Sequence, residues 1–341
     1  MTEESDLKTI NLALQGGGAH GAFTWGVLDR LLDEPRIAIE GISATSAGAM
    51  NATVLAHGLT VGGRAGAKRA LEDFWQRVAH AARLSPLQPS LFDRLTNNQW
   101  LEHSPAHLVF DIVSRVLSPY QFNPLNHNPL REVIEQIVDF DRLRQGSAVK
   151  LFLSATNVRT GKVKVFTDQE VTAESVLASS CLPFLYQAVE IDGEHYWDGG
   201  YMGNPALFPL IYGCTSRDIL IIHINPMERP DIPKNARDIM NRVNEISFNS
   251  SLMREMRAVA FVTKLIDDGK LAQNELKRML IHAIAADDVM QRLGVASKFN
   301  ADWDFLTRLH GTGRERAQAW IEAHLDTVGV ESTIDIRSVY L

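Results

Sequence analysis

The chain of 341 residues has little cysteine and no excess of positive charge. Its two cysteines, Cys181 and Cys214, exclude a disulfide framework and a cysteine-ligated metal site. Lys and Arg together number 34 against 41 Asp and Glu, a formal net charge of −7, and no segment concentrates the basic residues. Because a nucleic-acid binder needs a basic stripe to neutralise several phosphates, we exclude nucleic acid as a partner.

Long apolar segments are also missing. Three of the first six residues are acidic, the reverse of a secretory signal peptide, and this predicts a cytoplasmic protein. The longest stretch without a charged residue, 41–63, contains many serines, threonines and glycines and therefore does not predict a transmembrane helix. With 45% hydrophobic residues, the composition is that of a globular chain the size of an enzyme.

The spacing of apolar residues predicts an α/β fold. Residues 9–14 alternate as in a strand, the glycines at 16–18 predict a turn, and residues 19–33 have helical spacing. A second strand is predicted at 37–42, and strands continue to alternate with helices, which implies a mostly parallel sheet in a three-layer α/β/α sandwich. The nearly continuous apolar run 218–225 is typical of a central strand.

The chain divides into a predicted catalytic domain, 7–215, and a helical extension, 216–341, that completes the same domain. Prolines and aromatic residues concentrate in 82–129, which predicts either a lid over an acyl-chain groove, with Phe92 and Trp100, or an ordinary packed subdomain. A long helix over 236–268 is predicted to pack one apolar stripe against the core. The stripe comprises Ile239, Val243, Ile246, Leu252, Met256, Val259 and Val262.

The first motif is the glycine-rich segment 16–21, which follows a strand and opens a helix. Glycines allow a sharp turn with N–H groups aimed outward, and the helix N-terminus adds partial positive charge, so an anion or a developing oxyanion would be stabilised there. The same residues match the pattern G-x-G-x-x-G, with Glu40 as the candidate ribose ligand, so a dinucleotide site and a plain structural turn stay open as alternatives.

The second motif, 44–48, lies between a strand and a helix and has the sequence Ala-Thr-Ser-Ala-Gly. This is the setting of a nucleophile elbow, in which a tight turn lifts Ser46 out of the sheet and small neighbours avoid a clash. Ala44 stands where the pattern expects glycine, and its extra methyl group leaves the turn feasible. Simple capping of the helix by Ser46 is the alternative.

The third motif is Asp198-Gly199-Gly200, which by itself predicts only a turn. The order of the three motifs is more specific: a glycine loop at 16–18, a serine at 46 and an aspartate 152 residues later. In this order and spacing the chain resembles the patatin-like phospholipases, lipid acyl hydrolases with a serine–aspartate dyad. The resemblance extends to about residue 210.

The resemblance implies a fold related to the α/β hydrolases, with Ser46 as nucleophile and Asp198 as its base. The expected oxyanion hole consists of the backbone N–H groups of Gly16, Gly17 and Gly18. The residues expected to support these motifs are His20, Gly21, Ala44, Gly48, Gly199 and Gly200. The implied reaction is metal-independent cleavage of phospholipid or other lipid esters through an acyl-enzyme intermediate. It needs no cofactor, takes place at a transient membrane or lipid-aggregate surface, and leaves the oligomeric state open.

The sequence leaves alternatives for the role of His20, for the base and for the function. Many relatives carry Lys or Arg at the position of His20, so the charge near the oxyanion either depends on pH or is absent because His20 only packs. A histidine base is disfavoured, because His195 lies three residues before Asp198 on an extended strand and points to the opposite face, and His223 lies in an apolar strand. A non-catalytic lipid-surface or granule-binding protein and an acyltransferase are the other functions that the motifs allow.

Overall fold

The computed structural model describes residues 7–83, 117–270 and 276–341. Within these residues, eight strands form one mixed sheet in the order β5-β6-β3-β2-β1-β7-β8, with β4 paired to β3. The strands are β1 Lys8–Leu14, β2 Ile37–Ala44, β3 Lys150–Asn157, β4 Val163–Thr167, β5 Val189–Ile191, β6 Glu194–Asp198, β7 Asp218–Ile222 and β8 Leu280–Ile284. Strands β3, β2, β1, β7 and β8 run parallel, while β4, β5 and β6 pair antiparallel.

Helices cover both faces of the sheet. The helices are α1 Gly21–Leu32, α2 Ala47–Ala82, α3 Pro119–Phe122, α4 Pro129–Ile137, α5 Phe140–Gln145, α6 Ala173–Ser179, α7 Phe208–Gly213, α8 Ala236–Asp267, α9 Asp287–Met290, α10 Trp303–His324 and α11 Ile336–Tyr340. One apolar core joins the sheet to α1, α2, α4, α6 and α10, and a second joins it to α7, α8 and α11. The predicted three-layer α/β/α sandwich is therefore confirmed.

The two cores follow from alternation along the central strands. In β1, Leu12 and Leu14 enter the first core and Ala13 enters the second. Strand β7 contributes Leu220 to the first and Ile221 to the second, and all five of these side chains are fully buried. Because β7 pairs with β1 on one edge and with β8 on the other, residues 218–222 lie inside the sheet, as their apolar run predicts.

The apolar stripe predicted on the long helix does not face the core along its whole length. Ile239, Val243 and Ile246 are 45–54% exposed, whereas Leu252 and Met256 are fully buried. From Ile246 to Leu252 the helix turns through six residues, which amounts to about 240° beyond a full turn, so the two groups lie on different sides. The prediction of one continuous core face was wrong for the first half of α8.

Most of the proline-rich segment 82–129, including Phe92 and Trp100, lies outside the described residues. Among the helices that the structure describes, none combines the length and apolar character needed to cross a membrane.

Candidate active site

Ser46 occupies the turn between β2 and α2. Its backbone has φ 56° and ψ −123°, a conformation that residues other than glycine rarely adopt and that costs on the order of 1–3 kcal/mol. The turn is fixed by a hydrogen bond from the Thr45 N–H to the Leu14 carbonyl (3.2 Å) and another from the Gly48 N–H to the Thr45 carbonyl (2.8 Å). A Cβ atom on Gly48 would clash with the Leu14 carbonyl oxygen, so this position of the elbow requires glycine.

Asp198 reaches the elbow because two strands share one edge of β3. Strand β4 occupies the other edge of β3, from Phe152 to Thr156. On the shared edge, β2 ends with Ala44 opposite Leu153, and β6 ends with Asp198 opposite Ala155, two residues further along. The residues that follow these two strand ends, Ser46 and Gly199, are therefore neighbours although they are far apart in sequence.

The Asp198 carboxylate is fully buried and only half satisfied. Its Oδ1 accepts a hydrogen bond from the Gly200 N–H at 2.7 Å, while Oδ2 has no partner of normal hydrogen-bond geometry among the described residues. Burial raises the pKa of Asp198 from 3.8 to about 6, and the Gly200 N–H, the Ser46 side chain and the charge of Lys298 act in the opposite direction. The site thus holds a carboxylate of raised basicity, with one free oxygen, beside Ser46.

A second serine holds the backbone of the elbow. The Ser46 N–H donates to the Oγ of Ser179 at 3.0 Å, and Ser179 is the buried last residue of α6. Ser179 lies in the stretch 178–183, which contributes to the family resemblance, but the sequence alone gave this serine no role of its own. The contact joins the elbow to the segment that leads to Cys181, whose carbonyl accepts a hydrogen bond from the Asp198 N–H at 2.7 Å.

The three glycines of the loop have different environments. The Gly16 N–H donates to Asn204 Oδ1 at 2.7 Å, and a Cβ atom on Gly16 would lie 2.6 Å from the Cβ of Ser46. Gly16 therefore provides close approach to the elbow, and its N–H is already engaged. Gly18 has φ 59°, which favours glycine. No hydrogen bond within the described part of the chain occupies the N–H groups of Gly17 or Gly18.

His20 is buried and uncharged at neutral pH. Its Nε2 is 2.7 Å from the Oγ of Ser297. Burial, followed by the positive charges of Lys298 and Arg229, holds the pKa of His20 well below 6.5. Of the two sequence interpretations, the structure favours His20 as a packed, neutral residue.

The other motif residues fill tight positions. Ala44 is fully buried at the end of β2, so its methyl group is accommodated. A Cβ atom on Gly21 would lie 2.8 Å from the Ala47 Cβ. One on Gly199 would clash with the Ser154 carbonyl and one on Gly200 with the Phe248 ring.

The residues named for alternative functions lie away from the dyad or are engaged. His195 is exposed, with Nε2 3.9 Å from the Glu190 carboxylate. The Nε2 of His223 lies 2.6 Å from the Tyr340 hydroxyl in the core. Glu40 accepts hydrogen bonds from the N–H groups of Thr215 (2.7 Å) and Ser216 (2.8 Å). These contacts give Glu40 a structural role in place of the dinucleotide contact considered from the sequence.

Three residues beyond position 211 border the site without belonging to any motif. Lys298 donates from Nζ to Asn225 Oδ1 at 2.8 Å, and Asn225 donates from Nδ2 to the Gly16 carbonyl at 2.7 Å. Phe248, on α8, packs against Gly200. No short pattern marks these positions, so the sequence offered no signal for them. In residues 7–83, 117–270 and 276–341, no three His, Cys, Asp or Glu side chains cluster closely enough to hold a metal ion.

A serine on a strained strand–turn–helix elbow, beside a glycine loop and a mostly parallel sheet between helices, is an arrangement typical of serine hydrolases with an α/β fold. Residues 12–211, more than half of the chain, match the family model described as patatin-like phospholipase. The chain belongs to the patatin-like phospholipase family and is a lipid ester hydrolase.

Solved structures give weaker likenesses. VipD from Legionella pneumophila is 17% identical, with a TM-score of 0.43 over 94% of this chain and 67% of that one. The full-length SpcU–ExoU complex of the Pseudomonas aeruginosa type III secretion system is 13% identical, with a TM-score of 0.29 over 92% of this chain. This chain spans 53% of the matched Pseudomonas chain. No curated protein has a significant sequence match to the chain.

Proposed function

We propose that this protein hydrolyses carboxylic esters of phospholipids or related lipids with Ser46 as nucleophile and Asp198 as general base, without a metal ion or cofactor. The observation that carries the proposal is the buried Asp198 carboxylate beside Ser46: its Oδ2 has no partner of normal hydrogen-bond geometry among the described residues, and the serine is held at φ 56°. Strain at one residue and an incompletely satisfied buried charge both cost stability, and such costs concentrate at functional sites.

The proposed first step is attack of the Ser46 Oγ on the ester carbonyl carbon while the hydroxyl proton moves to Asp198 Oδ2. The carbonyl oxygen becomes an oxyanion, which the Gly17 and Gly18 N–H groups stabilise. Removal of one such donor typically costs a factor of 10² to 10³ in rate. The intermediate then collapses: the ester C–O bond breaks, and the proton on Asp198 passes to the leaving alcohol. Water, deprotonated by Asp198, releases the fatty acid from Ser46 by the same route.

The raised pKa of Asp198 suits it to act as a general base at neutral pH. An aspartate of ordinary pKa near 3.9 is a weak base at neutral pH. With a pKa of about 6, Asp198 is still mostly ionised at pH 7 but binds a proton about a hundredfold more strongly than an ordinary aspartate. No histidine is then needed between the serine and the carboxylate.

An apolar stripe on α8 fits a lipid aggregate as the substrate form. We define the stripe as Ile239, Met240, Val243 and Ile246, which are 45–54% exposed. The inner side of the same helix carries Phe248, which packs against Gly200 next to Asp198. The helix that carries the stripe therefore contacts the turn that carries the proposed base, Asp198. We propose that the stripe contacts the lipid surface from which the ester enters the site.

An acyltransferase is the second candidate, because the acyl-enzyme gives the same product with an alcohol in place of water. No described contact favours one acceptor over the other, so product analysis with and without added glycerol decides between them. A purely lipid-binding protein would gain nothing from the strained serine and the half-satisfied carboxylate, and these two features argue against it.

The proposal is tested by fatty-acid release from a short-chain p-nitrophenyl ester and from phospholipid vesicles, with EDTA present. We expect turnover to survive EDTA and to fall about a thousandfold in Ser46→Ala and in Asp198→Asn, the scale typical when a catalytic unit loses one member. Ser338→Ala removes an exposed hydroxyl near the C-terminus and serves as the matched control. Full turnover in folded Ser46→Ala would refute the dyad, and turnover abolished by EDTA would refute metal independence.

A further inference from the structure

A lysine from the last part of the chain lies against the glycine loop. Lys298 belongs to the short 3-10 helix Ala296–Phe299, beyond the segment that matches the family model. A Cβ atom on Gly18 would clash with the Lys298 carbonyl oxygen, so the two backbones are in direct contact. The neighbouring Ser297 is hydrogen-bonded to His20 at 2.7 Å. The 3-10 helix is therefore fixed on the loop at two adjacent points.

The Lys298 side chain reaches the same loop through Asn225. Lys298 Nζ donates to Asn225 Oδ1 at 2.8 Å, and Asn225 Nδ2 donates to the Gly16 carbonyl oxygen at 2.7 Å. The Gly16 carbonyl and the Gly17 N–H belong to one planar peptide group and, in the trans form, point in opposite directions. A carbonyl held by Asn225 therefore fixes the direction of the Gly17 N–H on the other side. Each hydrogen bond in such a chain also polarises the next, and the chain begins at a cation.

The charges around Lys298 leave it as the positive group at this loop. The titratable or charged side chains within electrostatic reach are Glu245, Asp198, Arg229 and His20. Arg229 and Arg242 share the buried Glu245 carboxylate, which offsets part of their charge, and among the described residues neither arginine is hydrogen-bonded to Asn225 or to the glycine loop. His20 is neutral because its pKa is lowered. Lys298 also lies 5.6 Å from the centroid of the Phe248 ring, which packs against Gly200.

We infer that Lys298 is a positioning residue of the hydrolase site: its ammonium group, acting through Asn225, orients and polarises the Gly16–Gly17 peptide so that the Gly17 N–H stabilises the oxyanion. This inference rests on the proposed function. It assigns to the C-terminal part of the chain a role in the reaction that the three motifs do not contain.

The role of Lys298 makes turnover sensitive to alkaline pH. Burial lowers the pKa of Lys298 from 10.5 to about 8. The ammonium group is present below that pH and is lost as the pH rises through it, so kcat falls on the alkaline side. Replacement by methionine removes the charge at every pH and with it the alkaline limb. Arginine stays charged throughout this range and moves the limb upward.

The experiment measures kcat and KM for a soluble short-chain ester from pH 5 to pH 10 with the full chain and its Lys298→Met, Lys298→Arg and Lys162→Met variants. We expect Lys298→Met to lower kcat about tenfold at pH 7, less than the loss of a whole oxyanion donor. KM should stay within about twofold, and the limb near pH 8 should disappear. Lys298→Arg should keep most of the turnover with no limb below pH 10. Lys162, an exposed lysine of the β3–β4 hairpin, is the matched control.

The relay through Asn225 is tested by a double-mutant cycle. If Lys298 acts through Asn225, adding Lys298→Met to Asn225→Leu should cost no more than about a further twofold in kcat. A full additional tenfold loss would overturn the relay. Circular dichroism and thermal melting check that each variant is folded, and if Lys298→Met does not fold, the shift of the limb in Lys298→Arg decides.

Two results would overturn the inference while the proposed function stands: an unchanged alkaline limb in folded Lys298→Met, or a raised KM with normal kcat, which would indicate a contact with substrate. Turnover that is absent, or that does not depend on Ser46, would instead overturn the proposed function and the inference with it. The Ser46→Ala variant, measured in parallel, separates the two cases.

Discussion

Gly16→Ala is the sharpest test of how the glycine loop works. The Gly16 N–H is already bonded to Asn204, and the added methyl group would lie 2.6 Å from the Ser46 Cβ. Nonbonded carbon atoms rest about 3.5–4.0 Å apart, so the loop and the elbow must separate by about 1 Å. A displacement of about 1 Å at reacting groups costs about a hundredfold in rate. We therefore expect kcat/KM for a soluble ester to fall about a hundredfold.

The substitution separates two roles for Gly16, because alanine keeps the backbone N–H. If Gly16 served only as an oxyanion donor, Gly16→Ala would retain turnover. The matched control is Gly311→Ala in α10, where an added Cβ meets no atom within 4 Å and alanine favours the helix. The assay is steady-state hydrolysis of a short-chain ester, with thermal melting to show that both variants are folded. Wild-type kcat/KM in folded Gly16→Ala would refute the argument from close approach.

Three further predictions follow from burial and exposure. The proposed base, Asp198, would accept a proton only when ionised, so kcat/KM should rise with pH through about 6, and an acid limb near pH 4 would contradict the proposal. The native pKa lies above the unfolded value, so ionisation of Asp198 lowers the stability of the folded state progressively from about pH 4 to about pH 6, and the full loss is present at pH 7. Asp198→Asn should therefore raise the unfolding free energy at pH 7 by up to about 3 kcal/mol in urea titrations. On α8, Val243→Asp with Ile246→Asp should lower turnover on vesicles about tenfold or more and leave the soluble ester within about twofold. Equal losses on both substrates would argue against a lipid-contacting stripe, and Val330→Asp, at an exposed valine outside α8, is the control.

The parts of the site that the sequence predicted are those built from neighbours in the chain. A strand, a glycine turn and a helix follow one another at 8–32, and again around Ser46, so local spacing was enough to place both turns at the ends of parallel strands. The Asp198 turn could be associated with them through the family resemblance. The proximity of Asp198 to Ser46 depends on the pairing of β6 with β3 beyond the end of β2. The spacing of residues along the chain does not predict the order of strands in a sheet.

The sequence could not predict contacts that depend on distant partners. The partner of the Gly16 N–H is 188 residues away, and this contact occupies one of the three N–H groups that the sequence predicts as oxyanion donors, which leaves Gly17 and Gly18 as the proposed donors. Neutral His20 depends on burial against Ser297, which is 277 residues away. The prediction of one core-facing apolar row along the long helix, from Ile239 to Val262, was wrong for a different reason. Its residues were grouped over 24 positions without following the 100° rotation per residue past Ile246.

The matched family segment ends at residue 211, but the site does not. Asn225 follows β7, which pairs directly with β1, the strand that leads into the glycine loop. In α10, Gly313 approaches the backbone of α1 so closely that a Cβ atom would clash with the Phe23 carbonyl. The loop is thus held by α10 through its contact with α1, and by Asn225 and Lys298, and these three supports all lie beyond residue 211. Since an oxyanion donor is effective only when it is oriented before the reaction, we propose that the C-terminal third forms one catalytic domain with the segment that carries the motifs.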